Sequence, residues 1–285
     1  WGGGGWGPRW GGRRPGAGNG VRAYDFAPGR AAALAPDGVI AADSGAAAAG
    51  GADAVVIMVA TPEQLEGALF GTDGAAAGLA AGAVVVIMST VGPQTVAAAA
   101  GRLSGLGAEV VDAPVSGGVA RAAAGDLLIM AAGPAGPLGR VRPLLDALAR
   151  SAPVVGRSPG DGQRMKLVNQ LLCGVHIAAA AEALAFAESL GLRAADCWEI
   201  LRAGAAASFM FDDRGARMVS GAFGEARSAL DIFVKDMGLV TAAAGEAGAP
   251  VPLAAAARLL YEEGRDQGLG RLDDAAVIEV LRRRR

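Results

Sequence analysis

Histidine and cysteine are almost missing from this chain, which has one histidine and two cysteines in 285 residues. His176 alone cannot build a histidine-rich metal centre, and it is the one residue that could serve as the base of a Ser-His-Asp triad. Cys173 and Cys197 have no CxxC spacing, which argues against a zinc site or a disulfide framework and for a reducing cytoplasmic compartment. No metal is expected. An excess of charge of one sign is also missing. Charged residues make up 19% and the formal net charge is -2, so no electrostatic footprint for nucleic acid or an anionic membrane is present. The run Arg282–Arg285 reads as a frayed tail. The chain starts on glycine and arginine without a compact apolar leader, so no signal peptide is expected. One stretch, LLCGVHIAAAAEALAFAESLGL, is about a membrane span long. His176, Glu182 and Glu188 interrupt it, and it reads as a buried helix of a soluble protein.

Hydrophobic residues account for 52% of the chain, enough for a sizeable core. From Val21 onward short apolar runs alternate with helical text. VRAYD and GVIAA read as short strands. DAVVIMVA and AVVVIMST are continuous and β-branched, the mark of strands buried on both faces. AEVVDAPV, DLLIMAAG and APVVG read as three more. TPEQLEGALFG opens with Thr61 as helix N-cap and Pro62 at the first helical position. This alternation predicts a Rossmann-like, doubly wound α/β domain with a parallel sheet over residues 21–162, in which ligands sit at the carboxyl ends of the strands. After about Gly162 the strands stop. A long helix beginning near QRMKLVNQ and further helices predict an all-α domain over residues 163–285. The long apolar helix and the alanine-rich text around it point to a homodimer or homotetramer.

Four segments carry chemistry. Asp25 ends VRAYD, where a carboxylate can accept hydrogen bonds from an adenosine ribose and repel a 2′-phosphate, favouring NAD over NADP. It can equally be a turn aspartate closing a strand. DAPVSGG, residues 112–118, offers the Ser116 hydroxyl and two glycines, Gly117 and Gly118, whose backbone N–H groups can approach a carboxylate or phosphate. A tight turn uses the same residues. In GDGQRMKLVNQ, Lys166 and Asn169 lie three apart and share a helix face. Desolvation there would favour a neutral amine able to exchange a proton with an alcohol oxygen, whereas a surface lysine would snorkel into solvent. Lys235 and Asp236 interrupt the apolar DIFVKDMGLV and read as a solvated pair on a polar helix face.

DAPVSGG, then KLVNQ about fifty residues on, then FVKDMGL, resemble the β-hydroxyacid dehydrogenase family, relatives of 3-hydroxyisobutyrate and 6-phosphogluconate dehydrogenases. The resemblance spans roughly residues 21–281. The segments NQLLCGVHIAAAAEALAFA, SFMFDDR, SALDIFVKDMGLV and DDAAVIEV look like a narrower branch, the L-threonate dehydrogenases. The resemblance implies a Rossmann-like domain, a long interdomain helix and an all-α C-terminal domain. It implies NAD-dependent oxidation of a small hydroxyacid, without nucleic-acid or membrane partners. By motif, Lys166 is the catalytic lysine, Ser116, Gly117 and Gly118 hold the substrate carboxylate, and Asn169 positions the hydroxyl or the lysine. The family often has a second asparagine where this chain has Gln170, so Gln170 receives no role. Thr90 in MSTVGP and Thr61 fall at strand ends that face the cofactor, and Lys235 matches a lysine that reaches it. His176, ten residues after Lys166, reads as a packed helix residue.

The first twenty residues fit this scheme poorly. Gly2, Gly4 and Gly7 match G-x-G-x-x-G about twenty residues before Asp25. No apolar strand precedes them, and Pro8 and Pro15 stand where a helix should follow. Residues 1–20 are therefore expected to be irregular and aberrant, the product of a fragment or of a frameshift rejoining the frame near Gly18. The first strand and glycine loop would then be missing. A catalytically silent member of the family, or a relative of the imine reductases, stays open beside the dehydrogenase reading.

Overall fold

The structure, a computed structural model, describes residues 20–284. Gly2, Gly4 and Gly7, with the rest of residues 1–19, lie outside the described residues. The chain divides into two compact units, one ending at Lys166 and the other beginning at Leu167.

In the first unit, β1 (Val21–Ala23) and β2 (Val39–Ala41) pair in parallel as a ladder of their own. Leu34 from the turn between them packs with Ala23 and Val39. After α1 (Gly45–Ala49) comes β3 (Ala54–Ile57), then α2 (Pro62–Phe70), β4 (Val84–Ile87), α3 (Pro93–Ser104) and β5 (Glu109–Asp112). Thr61 caps α2, its hydroxyl accepting the Gln64 N–H at 3.2 Å while the Gln64 side chain returns to the Ala60 N–H at 2.8 Å. The first bond satisfies a donor that an uncapped helix would leave open, and the second ties the residue before the cap to the same turn. Next follow β6 (Val115–Ser116), α4 (Gly118–Ala124), β7 (Leu127–Ile129), β8 (Ala131–Ala132), α5 (Ala135–Leu148), β9 (Ala149–Ser151) and β10 (Val154–Gly156).

The main sheet has the order β10-β8-β5-β4-β3. Its β4 is buried along its whole length, and the two faces of the strand feed two cores. Val84 and Val86 pack with Val111, Val141 and Leu145 on one side. Val85 and Ile87 pack with Leu65, Leu69, Val96 and Leu103 on the other. Side chains alternate along a strand, so an unbroken apolar run is what a sheet covered on both faces requires. The expected Rossmann-like architecture is therefore present.

Two details differ from the sequence reading. DLLIMAAG is not one strand. It divides at Met130, whose N–H donates to Pro114 O at 2.9 Å. On one side β7 joins a separate sheet of order β6-β7-β9, and on the other β8 enters the main sheet antiparallel to β5. A continuous apolar run shows burial on both faces but not which neighbour each half pairs with. The second detail is β9, whose residues Ala149, Arg150 and Ser151 have no strand pattern and read as a helix end.

The second unit is helical. The helix α6 (Asp161–Ser189) begins in the first unit and continues into the second, followed by α7 (Ala194–Leu201), α8 (Phe209–Ser220), α9 (Leu230–Glu246), α10 (Pro252–Asp266) and α11 (Ile278–Arg283). Among the described residues α6 is the one helix long and apolar enough to cross a membrane. Its Ile177, Ala181 and Leu184 instead lie in a core with Phe233, Met237, Tyr261 and Ile278. The Tyr261 hydroxyl donates to Gly174 O at 2.8 Å. Gly174 lets α9 approach α6, since a Cβ there would stand 2.3 Å from Met237 Sδ. The SFMFDDR and DDAAVIEV segments meet in a buried ionic network. Arg217 Nε donates to Asp273 at 2.8 Å and Arg214 Nη2 to Asp274 at 3.0 Å, with both aspartates fully buried. His176 is exposed on α6, not packed as its place in an apolar run suggested.

The two-faced core makes a quantitative prediction. Leu145→Ala and Leu103→Ala each remove a fully buried side chain from opposite faces of the sheet. Each should cost about 2–5 kcal/mol in denaturant unfolding. The double variant should be additive within about 0.5 kcal/mol, because the two sites share no packing neighbours.

Candidate active site

Strands β3, β4 and β5 are parallel and in register, so Ile57, Ile87 and Asp112 stand side by side at one edge of the sheet. The segments that leave this carboxyl edge carry five of the predicted site residues, Thr61, Thr90, Ser116, Gly117 and Gly118, whereas Asp25 follows β1 of the separate two-stranded ladder and Lys166 lies on α6. Thr61 follows β3, Thr90 follows β4, and the DAPVSGG turn follows β5. Ser89, missed by the sequence reading, ties two of these ends together. Its buried hydroxyl accepts the Val59 N–H at 2.7 Å and donates to Ile57 O at 3.4 Å.

Asp112 is fully buried at the end of β5. Its Oδ2 accepts the backbone N–H groups of Gly160 and Gln163, each at 2.9 Å, and so caps the start of α6 from another part of the chain. Its Oδ1 accepts Gln163 Nε2 at 2.8 Å. Burial pushes its carboxyl up to about 6, against the pull of those hydrogen bonds. Gln163 is fully buried as well, and its amide is saturated. Nε2 also donates to Ser89 O at 3.0 Å, while Oε1 accepts Val91 N–H at 3.0 Å and Gly92 N–H at 3.1 Å. Reversing the amide would set donors against donors, so its orientation is fixed. Neither Asp112 nor Gln163 was assigned a role from sequence. The available signal was a polar residue ending an apolar strand and a glutamine one turn before a candidate lysine.

Glycines make this junction possible. Gly162 lies so close to neighbouring chain that a Cβ would stand 2.7 Å from Met130 O and 2.9 Å from Asp112 Oδ2. Gly117 and Gly118 have φ of 140° and 75°, conformations that other residues rarely adopt, and Gly118 faces open space. Ser116, in β6, is half-buried beside them.

Lys166 is 6% exposed, one turn after Gln163 on α6. It is not a snorkelling surface lysine. Asp25 turns one carboxylate oxygen to the Ala27 N–H at 2.8 Å, the strand-closing turn that was one of its two readings.

In the second unit, Asn169 Nδ2 donates to Gln170 Oε1 at 2.8 Å and approaches Cys173 Sγ at 3.4 Å. Gln170 is buried and donates to Asp236 Oδ2. Lys235 Nζ lies 2.6 Å from Asp236 Oδ1. Asp236 is only 2% exposed, so the expected solvated pair on a polar face is overturned. An apolar helix here buries a charge because a cation and an amide meet it.

Residues 12–156 match the model for the NAD-binding domain of 6-phosphogluconate dehydrogenase, and residues 160–281 that for the NAD-binding of NADP-dependent 3-hydroxyisobutyrate dehydrogenase. The chain belongs to the β-hydroxyacid dehydrogenase family. It is 38% identical to the L-threonate dehydrogenase of Cupriavidus necator over 265 residues, covering 93% of this chain and 89% of that one. It is 37% identical to an Escherichia coli L-threonate dehydrogenase over 229 residues, covering 80% and 76%. The crystal structure of Salmonella typhimurium 3-hydroxyisobutyrate dehydrogenase superposes with a TM-score of 0.91 at 37% identity, covering 97% of this chain and 96% of that one. This β-hydroxyacid dehydrogenase thus carries NAD(P)-binding domains, and the edge described above is where its fold receives ligands.

Two predictions follow from the Asp112 junction. The raised Asp112 carboxyl makes its ionised form a cost to the folded state. The stabilising contribution of the protonated form is complete below about 3.8, the ordinary value, and is lost as pH rises through about 6. Denaturant unfolding across pH should therefore show the wild type gaining up to about 3 kcal/mol on Asp112→Asn between pH 7.5 and pH 4. Separately, Gly162→Ala forces a backbone shift and should lower stability by about 1–3 kcal/mol, read as a lower melting temperature.

Proposed function

We propose that the chain is an NAD-dependent dehydrogenase that oxidises a small 3-hydroxyacid of the L-threonate kind to the corresponding oxo acid. The observation that carries this reading is Lys166. The chain has two lysines, Lys166 and Lys235, and apart from His176 its other basic residues are all arginine. Arginine serves as a surface cation but holds its proton throughout the physiological range, whereas a lysine out of solvent can give and take one. Lys166 is such a lysine, buried one turn into the helix that leaves the sheet.

In this reading the Ser116 hydroxyl and the backbone N–H groups of Gly117 and Gly118 hold the substrate carboxylate. Positive φ at both glycines, with no Cβ over Gly118, supports that role. Lys166 takes the proton of the hydroxyl as the carbon–hydrogen pair of electrons leaves the same carbon, and later releases that proton to solvent. Asn169, one turn further along α6, orients the hydroxyl. Bound NAD supplies the hydride acceptor at nicotinamide C4. Thr61 and Thr90, which follow adjacent parallel strands, line the cofactor side, and Lys235 reaches the cofactor. Asp25 disfavours a 2′-phosphate and so selects NAD. Cys173 and Cys197 are not joined in a disulfide, and a cytoplasmic location belongs to the same proposal.

Self-association as a dimer or tetramer belongs to the same proposal. Val168, Leu172 and Phe186 recur at helical spacing on one face of α6 and are 50–61% exposed. Such a stripe on an isolated chain invites a second copy.

Lys166→Ala should abolish turnover of L-threonate with NAD, while calorimetry shows a much smaller loss of NAD affinity. A near-wild-type kcat would remove the lysine from the mechanism. Absence of binding at millimolar NAD in the wild type would instead favour a silent member of the family. Phe186→Glu should shift the mass measured by light scattering toward the single chain.

A further inference from the structure

Gln163 makes four side-chain hydrogen bonds, and they reach two other pieces of chain. Oε1 holds the Val91 and Gly92 N–H groups, and Nε2 holds Ser89 O and Asp112 Oδ1. Its own backbone N–H donates to Asp112 Oδ2. The loop after β4, the end of β5 and the first turn of α6 therefore converge on one amide. Residues 163 and 166 are three apart on a helix and share a face. The charged residues flanking Gln163 on that turn, Asp161 and Arg164, pair with each other at 2.6 Å. Asp161 also accepts the N–H groups of Arg157 and Ser158. Neither contributes to the amide's bonds.

We infer that Gln163, locked in orientation by Asp112, is a positioning residue that holds Lys166 in fixed register with the Ser89–Gly92 loop. The inference rests on the reading of Lys166 as the base and of Thr90, within that loop, as a cofactor-side residue. Capping by Asp112 would by itself start the helix. The additional bonds to Ser89, Val91 and Gly92 are not needed for a helix start, and their effect is to tie its rotation to the β4 loop. A proton acceptor and a hydride acceptor serve the same carbon, so the rate depends on their mutual placement. Errors of about 1 Å there cost on the order of a hundredfold. A glutamine suits the task because it offers two donors and an acceptor of two bonds on one rigid plane.

The two lysines permit a test that does not need turnover. Protein labelled with 13C at lysine Cε should show two signals, and Lys166→Arg assigns one. In Gln163→Ala the Lys166 signal and its titration should change while the Lys235 signal stays. In the same variant kcat should fall roughly 10- to 100-fold with the KM values for NAD and L-threonate within about threefold. Gln163→Glu keeps the volume and places a carboxyl against Asp112, so the pair can hold one shared proton only at low pH. With a lysine base the wild-type kcat should rise with pH as the amine gives up its proton, whereas that of Gln163→Glu should fall as pH rises. Adding Asp112→Asn to Gln163→Glu should return part of the rate and remove that inverted profile.

An unchanged Lys166 signal in Gln163→Ala, with kcat within twofold of wild type, would overturn the inference. So would a Gln163→Glu profile that keeps the wild-type slope. A wild type that turns over no hydroxyacid, yet whose Lys166 signal follows Gln163, would refute the functional reading and leave the positioning role standing.

Discussion

The Asp112–Gln163 contact is the constraint on which the first unit's functional edge depends. A carboxylate at the end of a central strand is fully buried, and burial raises its pKa to about 6. It persists because Gly160, Gln163 N–H and Gln163 Nε2 meet both oxygens. Breaking one partner of such an arrangement leaves a buried charge uncompensated, which is far costlier than losing a surface hydrogen bond. The same contact orients the Gln163 amide, and the amide in turn holds the loop after β4. Gly162 is what allows the helix to approach closely enough for this to happen.

The sheet supplies the rigidity that the contact requires. With β4 buried on both faces, the parallel strands β3, β4 and β5 cannot slip without moving two cores at once. Their common edge is thereby a fixed base for Thr61, Thr90 and the DAPVSGG turn. In the second unit the equivalent rigidity comes from helix packing and from buried arginine–aspartate pairs, Arg217 with Asp273 and Arg214 with Asp274. Arg214, Asp273 and Asp274 belong to segments that gave the sequence its narrower resemblance, and the structure shows those residues in packing contacts.

Much of this could be read from the residues. The unbroken β-branched runs around Val84–Ile87 and Ala54–Ile57 announced buried parallel strands, and Thr61-Pro62 announced a capped helix start. Strand pairing was less accessible, since DLLIMAAG looks the same whether it lies in one sheet or two. Lys166, Asn169 and the glycines of DAPVSGG were singled out as candidates through motif order, not through spacing alone. Gln163 escaped because a glutamine in a helix ordinarily faces solvent, and only long-range contacts, such as Gln163 Nε2 to Ser89 O, give it meaning. Asp236 escaped for the same reason. Its neighbour Lys235 suggested a surface pair, while the Gln170 amide that helps bury it lies 66 residues away.

The family membership and the carboxyl-edge geometry together make hydride removal from a hydroxyacid carbon the central claim. The most direct test uses L-threonate carrying deuterium on the carbon that bears the reacting hydroxyl. Incubation with NAD and the wild-type chain, followed by mass spectrometry of the nicotinamide product, reads where the label goes. The account predicts reduced cofactor carrying one deuterium at the nicotinamide ring. Reduced cofactor without the label, or no reduction with either NAD or NADP, would contradict it.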